Sequence, residues 1–216
     1  MKLIMKEWKL CMHPTGYLMP LLAVLVLVPG YPYGVCCFYV GLAIFFICLT
    51  AREDHDAGYT LMLPVSRRDA VRGRILFCAA LEAANLMLMG MFILIRNVIG
   101  SLPNPAGLDA GVALIGDGMI IFALFNRVFF PVYYKDILKP GKAFACAAAA
   151  VFLWIVLEIV ATHTVPFFRD ILDRPDPMYM KEKLLFTLAG LALFLAGTAR
   201  GVRLSAERFE AADLSL

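Results

Sequence analysis

The sequence predicts an all-α membrane protein with six transmembrane helices and both termini in the cytoplasm. Composition is the first reason: of 216 residues 62% are hydrophobic and only 17% charged, where soluble domains run nearer half and a quarter. The second is a mean hydropathy of +0.79. The third is distribution, since apolar runs long enough to cross a bilayer flank one long polar interruption, residues 52–74.

Taken in order, the whole chain, 1–216, reads as a single membrane domain. Residues 1–13 set Leu3, Ile4, Trp8 and Leu10 against Lys2, Lys6, Glu7 and Lys9. That spacing predicts an amphipathic helix on the membrane surface, with Trp8 at the headgroups and the lysines near anionic lipid. No cleavable signal is visible, because its charges are interleaved with apolar residues. Spans are predicted at about 17–30, 34–51, 75–95, 110–132, 143–162 and 184–199. The first is short for a ~30 Å hydrocarbon core and ends in the breaker cluster Pro29-Gly30-Tyr31-Pro32-Tyr33-Gly34. Leu63-Pro64-Val65 should be extended. Ser66 with Asp69 is a capping signature that starts the third helix near Arg67. Residues 96–109 make one outer loop and 165–183, rich in Pro and aromatic residues, a larger one.

Charge asymmetry sets the orientation. Segments assigned inside carry fifteen of the 20 Lys and Arg residues and those outside carry five, Arg96 among them; this fits the positive-inside bias. The net charge of +3 reflects that asymmetry and does not point to nucleic acid. The six cysteines lie in or beside apolar runs without metal-ligand spacing and read as small buried hydrophobes.

Chemistry within the chain is sparse. Lys139-Pro140-Gly141-Lys142 lacks the first Gly and the Ser or Thr of a phosphate-binding loop. Ser66 has no nucleophile elbow around it, and His13, His55 and His163 lie far apart. No catalytic residue, metal site or directly bound cofactor is expected, and the chain is not expected to be an enzyme by itself. Intramembrane polar residues are costly and should face protein or a watery path. Glu82 and Asn85 share one helix face, where a place on a translocation path stands beside a packing role. Asp117 and Arg127 read as packing residues, with Asn126 near the inner end of the fourth span and Glu158 and His163 toward the outer end of the fifth.

The polar stretch offers the strongest functional pattern. Glu53, Asp54 and Asp56 can meet a basic rim on a soluble partner, while Tyr59, Leu61, Met62 and Leu63 supply an apolar anchor. An exposed Leu-Met-Leu needs a partner or lipid to cover it. The run Leu63-Pro64-Val65-Ser66-Arg67, preceded by Glu53-Asp54 and Tyr59 and followed by Arg72 to Arg74, resembles the loop between the second and third spans of type-two ABC exporter permeases. Within that class it is closest to compact bacterial permeases linked to export of, or immunity to, amphipathic antimicrobial peptides.

The resemblance implies a coupling helix within residues 53–62, seated in a separate ATPase subunit that would carry ATP and Mg. The docking residues would be Glu53, Asp54, Tyr59, Leu61, Met62, Leu63, Pro64 and Arg67. It further implies two ATPase copies, a second permease copy or a paralogue, and a multi-pass place in a bacterial plasma membrane. A stand-alone secondary transporter or channel is the competing class, and it predicts an internal repeat. None is convincing here. An intramembrane enzyme would need carboxylates or His clustered at one depth, which this sequence disperses.

Overall fold

The structure is a computed structural model describing residues 2–100 and 104–211, without the side chains of Lys2, Leu3, Leu10 and Leu61. Regular structure among the described residues is helical throughout. Helix α1, Lys2–Lys6, continues through a π turn, Glu7–Cys11. Helix α2, Thr15–Leu18, runs on as a 3-10 helix, Met19–Leu27. Then come α3, Gly34–Glu53, the short α4, Asp56–Met62, and α5, Arg67–Ile99. Helices α6, Val112–Tyr133, α7, Pro140–Thr164, and α8, Met180–Ala211, complete the bundle.

Five of these helices, α3, α5, α6, α7 and α8, are long and apolar enough to cross a membrane. The predicted first span is not among them. Thr15–Leu27 forms only a short apolar helix, mostly of 3-10 form, and rises about 24 Å against a ~30 Å core. It packs on α3 and α5, burying Ala23 and Val26 completely. Two side chains of α5 reach its backbone: Asn85 Nδ2 donates to the Pro20 carbonyl at 3.1 Å, and Arg96 Nη1 to the Val26 carbonyl at 3.0 Å.

Helix α5 begins as its cap predicts. The Asp69 amide donates to Ser66 Oγ at 3.1 Å while that hydroxyl donates to the Asp69 carboxylate at 2.6 Å. Its 33 residues rise about 50 Å, well beyond the hydrocarbon thickness. The far end corrects the sequence reading, which placed Arg96 in a loop. The helix continues to Ile99 and stops at Gly100 in the left-handed region, φ 74°. Arg96 is buried there, bonded to the Tyr33 hydroxyl and paired with Asp109 at 2.9 Å. A cation at a helix C-terminus is favourable, and these partners let it stay inside the bundle.

Helices α6 and α8 lie in close parallel contact because glycines face backbone. A Cβ on Gly190 would fall 2.5 Å from the Gly116 carbonyl oxygen, and one on Gly197 3.0 Å from that of Ala123. Helix α8 also outruns its predicted end at residue 199. Its last turns bury Ala206 and Phe209, and Arg208 Nη1 donates to the Pro131 carbonyl at 2.6 Å.

At the end of the bundle away from α4, acids close the start of α6. Asp173 accepts from the Asp109 amide at 2.8 Å and Asp176 from the Val112 amide at 3.0 Å. Lys183 pairs with Asp176 at 2.7 Å. Free amides at a helix start attract such carboxylates.

Candidate functional site

The polar stretch folds into a helix-turn-helix ledge at one end of the bundle. Helix α3 is closed by the Asp54 amide bonding the Thr50 carbonyl, and His55 turns the chain in the left-handed region, φ 51°. Helix α4 then has two unlike faces. Asp56 and Thr60, four apart on one face, are buried, whereas Tyr59 and Met62, three apart on another, are 54% and 86% exposed.

A buried ion cluster determines which face turns inward. Arg74 on α5 donates from Nη2 to Asp56 at 2.5 Å and from Nε to Glu7 at 2.8 Å. Lys6 lies 2.6 Å from the other Asp56 oxygen and 3.2 Å from Glu7, and it donates to Thr60 Oγ1 at 2.7 Å. Two cations thus meet two carboxylates, and the cluster joins the N-terminal helix, α4 and α5. Such a cluster contributes little net stability against an apolar core, but losing one partner strands a buried charge at a cost of about 3–5 kcal/mol. Burial would raise the Asp56 carboxyl; Arg74 and Lys6 outweigh it and hold the group below its ordinary value.

Glu7, Cys11 and Asp56 bring three potential metal ligands within 4.8 Å of one another. The set does not suit a metal ion. The Arg74 guanidinium donates to all three, and with Lys6 it already balances both carboxylates. Burial pushes the Cys11 thiol up to about 12, so it is not a ready thiolate.

Lys6 also corrects the sequence reading of the N-terminal helix. It points into the protein and not to lipid, drawn by the carboxylates of Glu7 and Asp56, while Ile4, Met5 and Trp8 face outward. Trp8 packs edge-on against Tyr17 and Phe77.

Of the predicted docking residues, Glu53, Asp54, Tyr59, Met62 and Pro64 are exposed at this end and Leu63 is half-buried. The Leu61 side chain lies outside the described residues. Arg67 turns elsewhere: its guanidinium bonds the Phe209 carbonyl at 3.1 Å and sits 5.8 Å from the Phe209 ring centre. Beside it Arg68 pairs with Glu210 at 2.8 and 2.9 Å. The N-terminal helix and the last turns of α8 therefore gather at the ledge.

The predicted path residues are fully buried. Glu82 accepts from Asn126 Nδ2 at 2.8 Å, and the same amide bonds Thr198 Oγ1 at 3.1 Å, linking α5, α6 and α8. Asn85 holds the Pro20 carbonyl. Asp117 accepts from Trp154 Nε1 at 2.8 Å, a packing contact as expected. Arg127 does not pack: it is exposed, and its side chain makes no hydrogen bond or ion pair among the described residues.

Sequence reasoning put Lys6 and Glu7 on a surface helix and Arg74 in a basic helix start, gave Thr60 no role, and did not bring the four together. The available signal was Arg74 standing directly before the apolar run from Ile75, together with a lone acid at Glu7 in a basic segment.

These features define a multi-pass helical membrane protein that displays a braced, apolar-tipped short helix at one end. The family model described as ABC-2 family transporter protein matches residues 2–198. The chain belongs to that family, as a transporter membrane protein of a kind that generally pairs with an ATPase subunit. No curated protein and no solved structure matches.

Proposed function

We propose that this chain is the permease subunit of an ATP-driven exporter and that α4 is its coupling helix. The observation that carries the reading is the Lys6–Glu7–Asp56–Arg74 cluster: it anchors α4 from within and leaves Tyr59 and Met62 outward, with nothing among the described residues to cover them. An exposed aromatic and methionine over a rigid base, rimmed by Glu53 and Asp54, suits a groove on a soluble subunit. A push on α4 would pass through Arg74 directly into α5, which is rigid and long enough to carry it across the bilayer.

The finer points follow from that reading. Thr15–Leu27, extended by its flanks, serves as a thin sixth crossing, and the α4 end faces the cytoplasm of a bacterial cell. Two permease copies, identical or paralogous, and two ATPase copies assemble, with ATP and Mg held by the ATPase alone. Amphipathic peptides or other hydrophobic compounds are the cargo, and Glu82 and Asn85 become part of the path when the helices move. Glu82→Gln should then lower export; unchanged export would remove Glu82 from the path.

Docking is tested by co-expressing the chain with a candidate nucleotide-binding ATPase subunit that it retains on purification, and measuring co-purification in detergent. Met62→Asp, Tyr59→Ala and Leu63→Asp should each reduce recovery of the ATPase severalfold without lowering the permease yield. Recovery unchanged by all three would refute α4 as the docking helix.

A further inference from the structure

Helices α6 and α8 touch along their glycines, and their outer shoulders leave a surface groove of about 250 Å³. Ile120, Leu124, Leu193 and Ala196 line it, and Arg127 and Arg200 stand at it. The parallel contacts Gly116–Gly190 and Ala123–Gly197 advance in step, so Arg127 and Arg200 sit at nearly the same height. Each is seven residues beyond Ile120 or Leu193, about 10 Å along its helix.

Both arginines are exposed, and neither side chain makes a hydrogen bond or ion pair among the described residues. Arginines further along α8 are engaged: Arg203 with Glu207 at 3.1 Å, Arg208 with the Pro131 carbonyl. Two like charges facing one apolar groove repel each other unless an anion lies between them. Guanidinium forks match phosphate oxygens, and an apolar furrow at membrane depth matches an acyl chain.

We propose that Arg127 and Arg200 clamp the phosphate of an anionic phospholipid whose acyl chain lies along Leu124, Leu193 and Ala196. A second copy of the chain is the poorer occupant. A two-fold contact through this groove would bring four arginines together, whereas Leu188, Leu193 and Leu195 on the exposed face of α8 are solvated well by lipid.

The test uses the full chain in neutral detergent, titrated with phosphatidylglycerol or phosphatidylcholine and read by native mass spectrometry and thermal unfolding. Wild type should retain phosphatidylglycerol about tenfold more tightly, the scale of one good charge-assisted contact. Arg127→Gln/Arg200→Gln should abolish the preference and leave phosphatidylcholine retention unchanged, whereas Arg203→Gln should keep it. Leu193→Trp should weaken phosphatidylglycerol retention with both charges present. Should the glutamine pair fail to fold, Arg127→Lys/Arg200→Lys decides, with a severalfold loss expected because a lysine cannot make the fork.

An undiminished preference in the double variants would overturn the proposal. So would equal stabilisation by free glycerol phosphate, which would indicate a soluble anion, or a Leu193→Trp effect on oligomer size alone, which would indicate a second copy.

Discussion

The Arg74 guanidinium lies 2.5 Å from the carboxylate of Asp56, eighteen residues earlier. The same side chain holds Glu7 at 2.8 Å, so one residue at the foot of α5 fixes both the ledge helix and the N-terminal helix. Arg74→Gln should cost about 3–5 kcal/mol locally. Hydrogen exchange would report it as loss of protection across α4, with the membrane-buried part of α5 unchanged. Lys6→Gln should cost less, since Lys6 keeps 11% of its side-chain exposure. Equal protection of α4 in the Arg74 variant and wild type would show that the ledge stands without the cluster.

The cluster also has a defined pH response. Asp56 is held below its ordinary value, so its contribution is complete above the unfolded carboxyl value of about 3.9 and fades as pH falls through the lower folded one. Protection of α4 should be flat from about pH 5 to 8 and should collapse only below about pH 4. A midpoint near pH 6 would contradict this assignment.

The opposite end responds with the other sign. Burial pushes the Asp173 carboxyl up to about 6, with the nearby Asp109 carboxylate adding to the rise and the Asp109 amide opposing it. A raised carboxyl favours the folded state at low pH, and that advantage is lost as pH rises through about 6. Thermal unfolding of the wild type should therefore show a component that weakens between about pH 4 and 6. Asp173→Asn should remove that component; its persistence would assign it to another group.

Close approach of α6 and α8 makes Gly190 intolerant of a side chain. An added Cβ would lie 2.5 Å from a backbone oxygen of Gly116, whereas at Gly141 nothing lies within 4 Å. Gly190→Ala should destabilise by about 1–3 kcal/mol, and Gly141→Ala should be neutral or slightly stabilising. Similar unfolding temperatures for the two variants would show that α6 and α8 are not held at this distance.

Much of the architecture was legible because hydropathy and capping act locally. Runs near 34–51, 110–132 and 143–162 became helices within a few residues of those bounds, and Ser66 with Asp69 marked the start of α5. Three things escaped. The 3-10 form of Met19–Leu27 is invisible to hydropathy, which scores apolarity and not rise per residue. The reach of α5 and α8 depends on Arg96 meeting Tyr33 and on Arg208 meeting Pro131, contacts 63 and 77 residues apart. The ion cluster likewise joins residues 67 apart, Glu7 and Arg74. A lysine among apolar residues read as lipid-facing, because nothing near it in the chain announced the carboxylates waiting in the fold. The exposed residues of the ledge were easier to find, since α4 draws them from one contiguous stretch.

The grip of Arg67 and Arg68 on Phe209 and Glu210 bears on biogenesis. The ledge is translated early, yet the clasp behind it cannot shut until residue 210 has left the ribosome. A chain truncated after Arg200 would keep its apolar helices and still lack that clasp. Only a polypeptide synthesised through the last turn of α8 would offer a finished platform, which delays any subunit pairing that needs it until that turn has formed.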